Sequence, residues 1–206
     1  MYARSTTVHG NPAALEVGIA YVREAVIPAV REMDGCVGLS MLADRASGRC
    51  IITTAWADAE AMSRSAPLVR GIRDRTAEIL VGQPEVQEWE IAILHRQYET
   101  RESACTRVVW TKGDPAELDR MIEAFRESMI PGMEELPGFC SVSVMVDRES
   151  GCHATAITYE NRTAMESAME RAVAMRKEFS REMGIELMDA ATFDLVLAHL
   201  RVPETV

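Results

Sequence analysis

Displaced by 103 positions, half of its 206 residues, the chain lies on top of itself. Any fold it adopts must therefore use one unit of about 100 residues twice. The anchors of the match are residues that break, cap or turn the backbone. Gly10-Asn11-Pro12 falls on Gly113-Asp114-Pro115, Ile27-Pro28 on Ile130-Pro131, Gly35 on Gly138, and Asp44-Arg45-Ala46-Ser47-Gly48 on Asp147-Arg148-Glu149-Ser150-Gly151. Chance readily aligns apolar residues, but not an ordered series of glycines, prolines and turn residues that sets where elements begin and end.

Between these anchors both copies read alike. Residues 4–9 and 105–111 have strand composition. Asn11 and Asp114 are N-caps with Pro12 and Pro115 at the first helical position, and Glu117 completes a capping box. Leu15, Ile19, Val22, Val26 and Val30, like Leu118, Ile122, Phe125 and Met129, keep helical spacing, so each helix offers one apolar stripe. Pro28 and Pro131 are expected to bend or end these helices. Turns at Gly35 and Gly138 lead to a second strand, and the Asp-Arg-x-Ser-Gly loop makes a hairpin to a third, 50–56 or 152–159. Asp58 and Asn161 cap a second helix, weakened in the first copy by Pro67. Final strands run over 89–95 and 193–199, at an offset one residue longer.

The sequence thus predicts an α+β protein of two tandem ferredoxin-like units, β-α-β-β-α-β twice, over 1–95 and 105–206 with a polar linker at 96–104. Such a sheet is antiparallel, with both helices on one face. Its strands are apolar on both faces, as in Ile51-Ile52 and Val142–Val146, so the second face also needs cover, which the tandem copy would supply.

Composition narrows the partners. The net charge of -10 opposes the phosphate neutralisation on which nucleic-acid binding relies. No apolar run approaches the roughly 20 residues of a membrane span, and the N-terminus has no apolar signal region, so no membrane role is expected and the chain reads as cytoplasmic. Five cysteines with no CxxC pair read as reduced thiols.

With that element order, the Pro137-Gly138-Phe139 turn (weaker as Asp34-Gly35-Cys36) and an aromatic closing the third strand before a cap (Trp56-Ala57-Asp58, Tyr159-Glu160-Asn161), the chain resembles the dimeric α+β barrel superfamily. Within it, the chain is similar to antibiotic biosynthesis monooxygenase (ABM) domain proteins. The resemblance covers both units and implies a dimer fused into one polypeptide, its barrel closed within one chain, with further self-association left open. It also implies a pocket in each unit for a small apolar or aromatic molecule, and an activity such as cofactor-independent monooxygenation of a small aromatic or polyketide-like compound. The alternative is a non-catalytic protein of the same fold that binds a small ligand or a partner.

Candidate site residues follow from both lines. Trp56 and Tyr159 match the family's pocket aromatic, where they could stack on a planar substrate or simply fill core. His95 and His199, equivalent at the ends of the last strands, are candidate catalytic bases, or solvent-facing strand ends. Trp89 and Phe193 on the same strands are candidate substrate contacts, alternating with Glu90 and Asp194, which face solvent or are buried with raised pKa. His9 meets Lys112 and His153 meets Cys50 across the repeat; if both pockets work alike, these histidines are not essential. No His-x-x-x-His or clustered Cys suggests a metal, and no glycine-rich phosphate loop suggests a nucleotide cofactor. The haem-degrading relatives use a histidine on the second helix as iron ligand, yet 58–80 and 161–183 contain none. No cofactor is expected.

Overall fold

The computed structural model describes residues 1–98 and 103–200, so the linker expected at 96–104 lies partly outside the described residues. In the first repeat β1 (Tyr2–His9) is followed by a 3₁₀ turn (Pro12–Ala14), α1 (Leu15–Tyr21), a π-helical turn (Val22–Val26) and α2 (Ile27–Arg31). The hairpin β2 (Cys36–Ala43) and β3 (Arg49–Trp56), α3 (Ala59–Leu80) and β4 (Pro84–Arg96) complete it. The second repeat gives β5 (Cys105–Lys112), a 3₁₀ turn (Pro115–Glu117), α4 (Leu118–Ala124), a π turn (Phe125–Met129), α5 (Ile130–Glu134), β6 (Phe139–Val146), β7 (Cys152–Tyr159), α6 (Arg162–Met183) and β8 (Glu186–Leu200).

The four N-caps act as read, but Glu117 does not close a capping box, because its carboxylate accepts from Arg120 Nη1 at 3.0 Å instead. Asn11 Oδ1 accepts from the Ala13 N–H and Asp114 Oδ1 from the Ala116 N–H, both at 2.9 Å. Asp58 and Asn161 take the N–H groups of Ala61 and Ala164 in the same way. Gly138, at φ +64°, makes the turn into β6, and a Cβ there would lie 2.5 Å from that of Ala164.

The two prolines do not end their helices. In each case the preceding turn widens to π spacing, so that the Ile27 N–H reaches Val22 O and the Ile130 N–H reaches Phe125 O, and the helix then resumes with the proline in its first turn. An extra residue in the turn accommodates a ring that lacks an N–H and would meet the carbonyl four residues back. Likewise α3 continues through Pro67. There the carbonyl deprived of a donor, that of Ser63, belongs to an exposed residue, and water can serve it. The last strands are longer than the sequence predicts, beginning at Pro84 and Glu186.

All pairings with a defined register are antiparallel, and the hydrogen-bonded strand order, β1-β3-β2-β8-β5-β7-β6-β4, closes into a barrel. The chain divides into two compact units, one of Met1–Trp89 with the end of β8 from Phe193, the other of Glu90–Thr192. Each unit therefore takes a strand end from the other repeat. In the first, Ala43 of β2 pairs with Asp194; in the second, Val146 of β6 pairs with Glu90. Equivalent ion pairs hold these borrowed ends. Arg45 reaches Asp194 at 2.7 Å and Glu16 at 3.0 Å, and Arg148 reaches Glu90 at 2.6 Å and Asp119 at 2.8 Å. Glu90 and Asp194 are thus neither free in solvent nor buried without a counter-charge.

Each unit has its own apolar core. In the first, Leu15, Ile19, Val22 and Val26 pack with Val69 and Leu80 of α3 and with Leu39, Met41 and Ile52 of the sheet. In the second, Leu118, Ile122, Phe125 and Met129 pack with Met165 and Phe179 of α6 and with Val142, Val144 and Ile157.

Candidate functional site

The second unit leaves room inside its core. Side chains two apart on a strand share a face, and this puts Arg107, Val109 and Thr111 of β5 beside His153, Thr155, Ile157 and Tyr159 of β7, with Thr111 paired to His153 and Val109 to Thr155. The helical stripe Met121, Phe125, Met129 and Met133 forms a second wall. Met169, Ala172, Arg176 and Phe179 of α6 form a third, and Ile185, Leu187 and Ala190 border the space. The cavity between them measures about 130 Å³. An engineered apolar cavity of roughly 150 Å³ admits benzene, so this one is the size of a single ring.

His153 is the titratable base in that wall. It is 3% exposed. Its Nδ1 lies 3.2 Å from Gly151 O, an acceptor, so the neutral ring carries its hydrogen on Nδ1. Nε2 then bears the lone pair, and this buried atom has no hydrogen-bond partner. Burial holds the His153 pKa below the usual histidine value, only partly opposed by the Gly151 bond. The result is a neutral imidazole with an unused acceptor, on a residue that lines a mostly apolar cavity. Tyr159 is 2% exposed and lines the same space. Burial raises its pKa to about 12, with Cys105 adding to the shift and Arg107 opposing it, so near neutral pH it is a hydroxyl and not a phenolate.

The equivalent cavity of the first unit measures about 40 Å³, under a third of the second. Val69 and Ile52 stand there in the places of Ala172 and Thr155. Cys50 takes the place of His153, fully buried, its thiol pushed up to about 12 by burial and therefore inert. A broader hollow beside His9, Glu78 and Glu85 has mostly exposed walls and no enclosed polar group.

Of the residues singled out from sequence, Tyr159 alone lines the larger cavity. Trp56 is fully buried, its Nε1 donating to Thr54 Oγ1 at 3.1 Å, and it is not among the residues lining the smaller cavity. The Trp89 indole donates to Ser5 Oγ at 2.9 Å, and Phe193 lies under the Arg49 guanidinium, 5.7 Å from its ring centroid. His95 pairs with Glu134 at 2.8 Å and lies beside the Phe139 ring, while His199 is half-buried with Nε2 enclosed and unpartnered. Neither histidine lines the larger cavity. Sequence reasoning set His153 aside as not essential and missed Arg107 and Arg176. The usable signal was the difference between copies, with His153 against Cys50 the plainest case. Among the described residues no group of three His, Cys, Asp or Glu side chains converges on a point.

No family model matches the chain. It is 47% identical over 207 residues to the uncharacterized protein Rv2558 of Mycobacterium tuberculosis H37Rv, covering all of this chain and 88% of that one. It is also 47% identical over 206 residues to the uncharacterized protein Rv2557 of the same strain, covering 92% of it. Among solved structures it is similar to a candidate monooxygenase of Fusobacterium nucleatum (TM-score 0.70, 10% identity, 97% of this chain and 94% of that chain). An anthrone oxidase-like protein superposes with TM-score 0.67 at 12% identity, over 99% and 95% of the two chains. A ferredoxin-fold protein of Listeria monocytogenes related to antibiotic biosynthesis monooxygenases gives TM-score 0.55 at 7% identity, over 100% and 96%. At these identities the structures establish a shared fold, that of the ABM-like α+β barrels, in a tandem arrangement. By sequence, the chain belongs to the family of the mycobacterial proteins Rv2557 and Rv2558.

Proposed function

We propose that the cavity of the second unit is the working site of this chain, and that it oxygenates a small one-ring aromatic or polyketide-like molecule without a cofactor, with His153 as the base. The observation that carries this reading is the unpartnered Nε2 of a buried, neutral His153 in a ring-sized apolar cavity. A base held neutral is ready to accept a proton, and one that opens on an apolar space meets substrate before water. Nε2 would take a proton from an activated CH₂ or from a ring hydroxyl, leaving an electron-rich anion that reduces O₂. For a CH₂ group the balance is R₂CH₂ + O₂ → R₂C=O + H₂O: one oxygen atom stays on carbon, the other leaves as water, and His153 returns its proton to the leaving oxygen. Tyr159, held as a hydroxyl, would donate to the oxygen on which charge develops.

Haem does not fit this site. The helix that bears the iron ligand in the haem-degrading relatives has no histidine in either copy, and 130 Å³ is a fraction of the roughly 300–1,000 Å³ taken by drug-sized ligands. The competing reading, a binding protein without turnover, draws support from the smaller cavity of the first unit, which has room for no ring.

Oxygen uptake with one-ring hydroquinones and cyclic 1,3-diketones tests the proposal. His153→Gln should lower uptake at least 100-fold while substrate binding persists. Full uptake in His153→Gln, with loss in His95→Ala or His199→Ala, would move the base to the strand ends. Binding without uptake in the unaltered protein would leave the non-catalytic reading.

A further inference from the structure

The second cavity carries positive charge without a counter-charge, and the first repeat shows what a matched version looks like. Arg4 and Arg107 hold equivalent places on β1 and β5, and each lines its own unit's cavity. Arg4 is 4% exposed and fully engaged. Its Nη1 donates to Ser65 Oγ at 2.9 Å, Nη2 to Met62 O at 2.8 Å and Nε to Glu88 Oε1 at 2.8 Å. In the second copy Ser65 has become Ala168, and Glu88, allowing for the extra residue before the last strand, has become Thr192. Arg107 keeps one hydrogen bond, from Nη1 to Thr192 Oγ1 at 3.0 Å.

The second arginine repeats the pattern. Arg73 of the first copy lines the small cavity and contacts Asp74 at 3.4 Å. Its counterpart Arg176 lines the large cavity, but Asp74 has become Lys177, and Arg176 makes no hydrogen bond or ion pair among the described residues. Both guanidinium groups are thus present in each copy, while the acidic partners Glu88 and Asp74 are found only in the first, and the unit without them has the larger cavity. A chain of net charge -10 does not lack acids to supply.

We propose that the second cavity recognises an anion: a single apolar ring bearing a carboxylate, the carboxylate taken by Arg107 and Arg176 and the ring by the Met-lined wall. This rests on the reading of that cavity as the working site. A planar carboxylate offers two oxygens that match the guanidinium fork, and 130 Å³ leaves room for one ring. A neutral or cationic ligand would leave the two charges uncompensated on desolvation, whereas a carboxylate restores what Glu88 and Asp74 supply in the first unit.

Calorimetry with benzoate and benzyl alcohol, which share a ring and differ in charge, tests it on the intact chain. Benzoate should bind at least tenfold more tightly than benzyl alcohol. Arg107→Gln should remove that advantage. Thr192→Glu, which restores the acid of the first unit and leaves Arg107 in place, should also weaken benzoate at least tenfold while benzyl alcohol stays within twofold. Equal affinity for both probes, or benzoate binding unchanged by Thr192→Glu, overturns the anion proposal and leaves the cavity a neutral binding site. If neither probe binds, both readings fall. Benzoate binding that follows the expected pattern without oxygen uptake by any substrate would remove the oxygenase reading alone.

Discussion

His153 enters the folded protein without the water that would solvate an imidazolium, and this has a measurable consequence for stability. Its folded pKa lies below the reference value of 6.5. As pH falls through about 6.5 the unfolded chain takes up a proton at this residue and the folded chain does not, so acid favours unfolding, and the loss grows until the folded pKa is reached. Above that window both states are neutral and the residue contributes no slope. His153→Gln should therefore narrow the difference in melting temperature between pH 7.5 and pH 5.5. An unchanged difference would mean that His153 titrates as it does in the unfolded chain. Reading sequence alone, the same residue looked dispensable because it differs from Cys50. That inference assumed two like pockets, whereas the difference between the copies, His153 against Cys50, was itself the sign that the pockets are unlike.

At the scale of the element, what could be read was what local physics decides. Caps at Asn11, Asp58, Asp114 and Asn161, the turn at Gly138 and the helical stripes all follow from side-chain hydrogen bonds, φ or periodicity within a few residues. The π turns before Pro28 and Pro131 could not be read, because a helix that meets a proline can bend, end or widen, and packing on the sheet chooses among these. The early starts of β4 and β8 were also hidden, since Glu85, Gln87 and Glu88 look like loop until a neighbouring strand pairs with them. One helix end offers a direct test. The residue after α3 is Val81, at φ +57°, where the second copy has Gly184 at φ +65°. Left-handed backbone costs a β-branched residue roughly 1–3 kcal/mol, and Val81 is 65% exposed, so little burial is lost on removing it. Even after the greater freedom of glycine in the unfolded chain is subtracted, Val81→Gly should stabilise the protein by about 1 kcal/mol, or roughly 2–4 °C for a chain of this length. Thermal unfolding measures it, and a lower melting temperature would show that the valine side chain contributes more than its conformation costs.

At the scale of the molecule, the repeat announced two units, but not that each completes its sheet with a strand end from the other copy. Length and periodicity cannot say which strand pairs with which; the register of β2 with β8 and of β6 with β4 does. Residues 105–206 expressed alone would expose the β6 edge that Glu90–Arg96 otherwise occupies, and an open edge seeks another strand. Light scattering after size exclusion should find that fragment as a dimer or larger species; a stable, soluble monomer would contradict the pairing. The same exchange governs the order of events at the ribosome. The edge of β2 next to Ala43 waits for Asp194, some 150 residues later. At roughly 5–20 residues per second that is about 8–30 s of synthesis. Through that interval the nascent chain presents an unfinished sheet, so its most vulnerable period comes before its last strand has been made.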